Sequence, residues 1–155
     1  MQVTLTINSV ERTFTINPAD RLLDTLRSNG YFSVKHGCDT GECGVCGVLL
    51  DGEIVNSCIL LTAPAEGHCI ETVEGLGSRH DLHPLQEAFV DAGAIQCGFC
   101  TPGFILSSVA LLRRNSSPTL AEIRAGVSGN VCRCGTYPNI FDAVHAAAKS
   151  MKKGG

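Results

Sequence analysis

The 155-residue sequence predicts an α+β protein. Its N-terminal half reads as a small sheet crossed by one helix, and its C-terminal half as a four-helix bundle. Three observations carry this reading. Apolar residues alternate in the first half, and recur at helical intervals in the second. Glycine-rich turns punctuate the first half, whereas helix-start and helix-stop residues punctuate the second. The cysteines also divide, because eight of the nine form two sets of four, one set in each half.

In chain order, Gln2 to Asn8 alternates, with Val3, Leu5 and Ile7 on one face. Thr13 to Ile16 can pair with it as a hairpin. Pro18-Ala19-Asp20 opens a helix over Arg21 to Ser28, where Leu22, Leu23 and Leu26 form a stripe and Gly30 can close it. A loop holding Gly37, Gly41, Gly44 and Gly47 among three cysteines follows. Val48-Leu49-Leu50 and Glu53-Ile54-Val55 flank Asp51-Gly52, the strongest short hairpin signal. Cys69 to Val73 supplies one more strand. Two hairpins and a crossing helix describe a β-grasp sheet of the ferredoxin kind.

The second half is helical. Pro84 to Ala92 is a short helix. Thr101-Pro102 reads as N-cap and first residue of a second, which runs through Phe104, Ile105, Val109 and Leu112 to Arg113-Arg114. Thr119-x-x-Glu122 is a capping box for a third. Tyr137-Pro138 starts a fourth, with Ile140, Phe141, Val144 and Ala148 inward and Lys149, Lys152 and Lys153 at its end. The GLGSRHD stretch, Gly75 to Asp81, is the expected linker, giving domains at 1–76 and 77–155. No internal repeat is present.

Composition removes several function classes. Formal net charge is −3 with no long run of either sign, which gives no support to nucleic-acid or membrane-surface binding. No apolar stretch approaches the roughly eighteen residues of a membrane span. The first residues, MQVTLTINSVERTFTI, lack the basic and apolar regions of a signal peptide, and Arg113-Arg114 lies mid-chain. A cytoplasmic location follows as the expectation, and a reducing cytosol favours metal ligation over disulfides. Only 17% of residues are charged, which hints at apolar surface buried against partner chains.

The first cysteine set is Cys38-x4-Cys43-x2-Cys46 followed by Cys58; the second is Cys97-x2-Cys100 followed by Cys132-x-Cys134. Four thiolates are the ligand count of one 2Fe–2S centre, and the first spacing is that of plant-type ferredoxins. Glycines in that loop let main-chain N–H groups approach sulfur, which stabilises an anionic cluster. A zinc site or a loop of ordinary buried cysteines is the alternative for this set, but zinc loops commonly use paired C-x2-C knuckles, unlike this glycine-interspersed spacing. In the second set, Cys97 and Cys100 precede a helix start, and Cys132 and Cys134 precede another. Four cysteines between helices could hold a cluster or zinc; no strand precedes Cys97, as a thioredoxin motif would need. Two clusters in one small chain make a wire, joining a donor to an acceptor.

Other residues read more plainly. Cys69, in an apolar strand, reads as a small core residue. His36, His68, His80, His83 and His145 read as surface or capping residues, and Asp39 and Glu42 as facing solvent or a partner. No set of residues for hydrolytic or phosphoryl-transfer catalysis stands out.

Three segments, GCDTGECGVCGVLLDG with NSC, IQCGFCTPG and GNVCRCGTYPNI, cover nearly the whole chain. Together they resemble the iron–sulfur subunit of the xanthine dehydrogenase/aldehyde oxidase family of molybdenum hydroxylases. The resemblance implies two 2Fe–2S clusters. The outer one would sit on Cys38, Cys43, Cys46 and Cys58 in a β-grasp domain, and the inner one on Cys97, Cys100, Cys132 and Cys134 in a four-helix domain. It implies that Gln96 and Cys134 contact a molybdopterin held mainly by a large partner subunit. The outer cluster would face a medium subunit carrying FAD, or another acceptor, in a dimer of heterotrimers. The family hydroxylates substrate at molybdenum with oxygen from water and passes the electrons through both clusters. Aldehydes, purines, other N-heteroaromatics and carbon monoxide are the substrates it implies. The chain departs from the commonest pattern at Gly47, where relatives often have threonine or serine, and at Gly135-Thr136-Tyr137, where many read Thr-Gly-Tyr. A freestanding two-cluster carrier is the alternative, and a zinc-stabilised interaction protein is a third reading.

Overall fold

The computed structural model describes residues 1–153; the side chain of Lys153, expected at the end of the last helix, lies outside the described residues. The chain opens with β1 (Gln2–Ile7) and β2 (Val10–Thr15), an antiparallel hairpin in register from Gln2 opposite Thr15 to Ile7 opposite Val10. Its turn is Asn8-Ser9, with φ of 50° and 66°, the left-handed pair that a tight hairpin requires. The second strand begins at Val10, earlier than its sequence pattern indicates. It is an edge strand on which only Phe14 is buried, so most of it has no alternation to reveal it.

Helix α1 (Leu22–Ser28) lies across the sheet with Leu22, Leu23, Thr25 and Leu26 buried. The Thr25 and Thr62 hydroxyls, both buried, bond to each other at 2.7 Å and satisfy two polar groups inside that core. β3 (Gly47–Leu50) and β4 (Glu53–Asn56) form the second hairpin around Asp51-Gly52, and β5 (Cys69–Glu71) completes five strands in the order β2-β1-β5-β3-β4. β1 and β5 are parallel; the other pairs are antiparallel. The last strand stops at Glu71, short of the expected Val73, because Val73–Gly75 turns into a 3-10 helix.

Cys69 is exposed, contrary to its expected place in the core. Strand alternation explains the difference: Ile70 takes the inward position at 1% exposure, which turns Cys69 to the other face.

Four helices follow: α2 (Pro84–Asp91), α3 (Thr101–Arg114), α4 (Leu120–Gly126) and α5 (Tyr137–Lys153). α5 packs on α2 and α4, and α3 packs on all three. α2 is capped by His83, whose ring accepts from Leu85 N–H while Gln86 reaches back to the His83 N–H. α4 carries the expected capping box on Thr119 and Glu122. α3 differs by one residue, because Thr101 is its first residue and Cys100 its N-cap, with no side-chain cap. Residues 103–112 of α3 are all buried.

The core has two parts. One lies between the sheet and α1, and the other among the four helices. β3 belongs to both. Val48 points into the first, Leu49 into the second, and both are fully buried. The run Val48-Leu49-Leu50 is therefore apolar without alternation, as a strand covered on both faces must be. At the rim, Arg113 makes two bonds to the Glu71 carboxylate at 2.7 and 2.8 Å, joining α3 to β5.

Gly103, on α3, has no space for a side chain: an added Cβ would collide with the Gly44 carbonyl oxygen and stand 2.9 Å from Asn130 Nδ2. Replacing a helical glycine with alanine ordinarily stabilises by about 1 kcal/mol. Forcing a methyl against immobile backbone costs about 1–3 kcal/mol. Against the rigid Gly44 carbonyl the upper end of that cost applies, so Gly103→Ala is expected to destabilise by roughly 2 kcal/mol, a drop of about 4–8 °C in the thermal midpoint. A midpoint unchanged or raised in thermal unfolding would show that the contact is looser than this.

Candidate metal centres

The first thiol set is built by a loop and a hairpin. Residues 35 to 46 wrap over one end of the sheet, anchored by Lys35 N–H to the Val45 carbonyl at 3.1 Å. Cys43 and Cys46 reach the site from this loop, and Cys58 comes from the short 3-10 turn Ser57–Ile59 that follows β4. Ser57 fixes that turn, with its backbone N–H and its hydroxyl both donating to the Cys46 carbonyl, at 3.4 and 2.7 Å. Asn56 Nδ2 donates to the Gly41 carbonyl at 2.8 Å and holds the middle of the loop.

Backbone donors point at sulfur here. The N–H groups of Thr40 and Cys43 approach Cys38 Sγ at 3.5 and 3.4 Å. With the Thr40 hydroxyl as the largest influence and those amides behind it, the Cys38 thiol is lowered to about 5. Cys58 moves the other way, to about 11, through burial first and then the neighbouring Cys46. Burial likewise raises Cys43. Asp39, next to Cys38 at φ 60°, is exposed and bonded to Arg21 Nη1 at 3.1 Å and His36 Nε2 at 3.0 Å.

The second set spans two helix starts. Cys100 caps α3, and Cys97 lies exposed one turn before it. Cys132 is buried, its N–H donating to the Tyr137 hydroxyl at 2.8 Å from the first residue of α5. Cys100 is pushed up to about 12 by burial and then by Cys132. Burial also opposes ionisation of Cys132, but the backbone amides of Thr136, Gly135 and Cys134, with the Cys100 thiol, outweigh it and hold that thiol below its ordinary value. Cys134 and Gln96 are both exposed. Gly135 takes φ +77° and Thr136 is buried, so the Gly-Thr order places the residue without a Cβ at the left-handed position.

The structure thus gathers the first set, and brings Cys97, Cys100 and Cys132 together in the second. Among the described residues, no three His, Cys, Asp or Glu side chains converge on a single-ion point. The thiols meet in pairs instead: Cys38 with Cys43, Cys46 with Cys58, and Cys100 with Cys132. A two-iron cluster takes two thiolates at each iron, so pairwise approach fits it. The donor chemistry fits as well, since thiolate ligands and inward-pointing amides suit an anionic iron–sulfur core. Cys38 and Cys43 share with Cys97 and Cys100 one hollow of about 570 Å³, walled by Val45, Phe99, Val131 and Arg133.

The two halves touch directly at these loops. Val131 N–H donates to the Cys43 carbonyl at 2.9 Å, and Asn130 Nδ2 to the Gly44 carbonyl at 3.2 Å. Sequence reasoning gave Asn130, Asn56 and the Tyr137 hydroxyl no role. The one available signal was the position of Asn130, two residues before Cys132 in GNVCRCG.

Residues 5–70 match the domain family described as 2Fe-2S iron-sulfur cluster binding domain, and residues 72–145 match a second 2Fe-2S binding domain family. The chain is 42% identical to the aldehyde oxidoreductase iron-sulfur-binding subunit of Escherichia coli K12, over 98% of this chain and 73% of that one. It is 44% identical to the nicotinate dehydrogenase small FeS subunit of Eubacterium barkeri, over 95% and 94%. It is 45% identical to the xanthine dehydrogenase iron-sulfur-binding subunit of Escherichia coli O157:H7, over 90% and 89%. Among solved structures, quinoline 2-oxidoreductase from Pseudomonas putida 86 superposes with a TM-score of 0.94 at 41% identity, over 99% of this chain and 97% of that one. The aldehyde oxidoreductase of Desulfovibrio desulfuricans superposes at 0.95 and 44% identity over 98% of this chain, which spans only 17% of that longer one.

The opposed thiol shifts generate a direct expectation. In the iron-free chain, Cys38 is already ionised at neutral pH while Cys58 and Cys100 are not. Iodoacetamide at about pH 7 should label Cys38 well ahead of those two, with a rate that changes little from about pH 6 to about pH 8. Peptide mapping by mass spectrometry reads this; equal labelling of the three would contradict the assignment.

Proposed function

The chain belongs to the family of iron–sulfur subunits of the molybdenum hydroxylases, and from that premise we propose which of its residues carry the electrons and in which direction. Cys38, Cys43, Cys46 and Cys58 hold the outer cluster, and Cys97, Cys100, Cys132 and Cys134 the inner one. Residues 1–76 act as the β-grasp unit, and residues 77–155 as a small four-helix bundle around the inner site. The single observation that supports this best is that two thiols of each set, Cys38 and Cys43 with Cys97 and Cys100, open onto one hollow, while the Val131–Cys43 hydrogen bond joins the two loops.

When bound, 2Fe–2S clusters accept and release single electrons. The protein supplies the surroundings. Amides on Cys38 and Cys132 stabilise negative charge on sulfur, and burial of Cys46, Cys58 and Cys100 keeps water from most of that chemistry. The inner set is the more open at its far side, where Cys97, Gln96 and Cys134 are exposed. Ile95, Phe99 and Val131 are 40%, 46% and 50% exposed close by, an apolar rim suited to a large molybdopterin-binding partner. Gln96 and Cys134 would meet the pterin there.

Exposed apolar residues also flank the outer set along the chain, Phe32 ahead of the loop and Ile59 next to Cys58, at 62% and 64%, and this set would face a medium FAD subunit or another acceptor. Electrons run from the substrate side at Cys134 toward Cys38, in a cytoplasmic dimer of heterotrimers. No helix among the described residues is long and apolar enough to cross a membrane. The substrate is an aldehyde, a purine or another N-heteroaromatic compound, the compound types in the relatives' names.

Purified with its natural partners, the protein should carry molybdenum, about four irons per small chain and two distinguishable EPR signals on reduction. A monomer with no large partner would favour a freestanding carrier, and zinc in place of iron would end the reading. Cys58→Ala should leave about two irons and erase one EPR signal, while Cys132→Ala erases the other. Loss of both signals in either variant would contradict two separately held clusters.

A further inference from the structure

We propose that Asn130 is a positioning residue for electron exchange between the two thiol sets. It holds the Gly44 carbonyl so that the next residue's N–H, on Val131, stays bonded to the Cys43 carbonyl. The inference rests on the reading of those thiols as the ligands of two clusters.

The contact is short and has few alternatives. Val131 N–H reaches the Cys43 carbonyl at 2.9 Å, and Val131 is bonded to Cys132. A path made only of covalent bonds and one hydrogen bond therefore joins a ligand of one set to a ligand of the other. The remaining route, sulfur to sulfur across the front, runs through the open hollow of about 570 Å³. One electron moves in each exchange: the inner iron pair is oxidised by one, the outer reduced by one, and no bond or proton changes hands.

Asn130 keeps the path closed. It is 6% exposed, its Nδ2 donates to the Gly44 carbonyl at 3.2 Å, and its Oδ1 accepts from the Ser107 hydroxyl at 2.6 Å. Ser107 is itself buried on α3, so the clamp is tied to the most enclosed helix of the molecule. An amide can donate at one end and accept at the other without charge; aspartate would set an acceptor against the Gly44 carbonyl, and leucine would strip the Ser107 hydroxyl of its partner and leave the Gly44 carbonyl held by the Gly47 N–H alone, at 3.0 Å. Packing cannot take over the task. Gly44 at φ +73° and Gly103 leave no room for a side chain where the two backbones meet.

The test uses the iron-loaded complex carrying Asn130→Ala or Ser107→Ala, with Arg113→Ala as a control. Arg113 bridges the same two halves through Glu71 but touches neither loop. The readouts are iron content, the two EPR signals, their spin–spin splitting in the fully reduced protein, and the rate of exchange after one-electron photoreduction. Both clamp variants should keep about four irons and both signals, yet show reduced splitting and exchange slowed several-fold. Arg113→Ala should match the parent. Parental splitting and rate in the clamp variants, with both signals present, would overturn the inference alone, as would equal slowing in Arg113→Ala. A parent protein with one signal would overturn the cluster reading and this inference with it. If Asn130→Ala fails to load iron, the nearly isosteric Ser107→Ala decides the matter.

Discussion

The contact between the Cys43-Gly44 backbone and Asn130-Val131 is the constraint around which the molecule is arranged. It places two thiols of each set on one hollow, through one main-chain bond, Val131 N–H to the Cys43 carbonyl, and one bond from the Asn130 side-chain amide to the Gly44 carbonyl. Other features support it. β3 shares its two faces between the cores, so the sheet and the helices cannot shift against each other without breaking packing on both sides. The Arg113–Glu71 pair joins the two halves at the rim, away from the thiol loops, and Asn130, tied to Ser107, joins them at the loops themselves through the Gly44 carbonyl.

Electrostatics at the thiols follows from that arrangement. Bringing several sulfurs together under burial is costly for negative charge, and Cys58 and Cys100 register it as raised values near 11 and 12. Local donors oppose it, the Thr40 hydroxyl and then backbone amides at Cys38 and backbone amides at Cys132, which is why these two thiols move down. Neither trend needs a neighbouring basic side chain. Arg21, beside the outer loop, is bonded to Asp24 and Asp39. A site that stabilises charge with fixed amides leaves its rim free for apolar contact, as Phe99 and Val131 display.

Much of this was legible in the chain, for local reasons. Asp51-Gly52 is a hairpin turn because both positions take positive φ, and Thr119-x-x-Glu122 is a capping box because the two side chains answer each other's amides. Where the reading slipped, a neighbour in space intervened. Thr101 does not cap α3, since Cys100 must stand at the helix start to join Cys132. Cys69 looked like core, yet Ile70 occupies the inward position and leaves it outside. The Asn8-Ser9 turn went unseen because β2 is an edge strand with only Phe14 buried.

By itself the sequence determined the elements and the grouping of the cysteines, because spacing, glycine content and apolar period act over a few residues at a time. Only the tertiary structure decided how the groups face each other. Asn130 and Gly44 lie 86 residues apart along the chain, and no periodicity or spacing couples positions so distant. Their meeting depends on the whole path of β3 and α3 between them, on two glycines whose missing Cβ atoms permit close approach, and on one amide that can satisfy a carbonyl and a hydroxyl at once. Such a contact exists only once the chain has closed on itself, so it could be found only there.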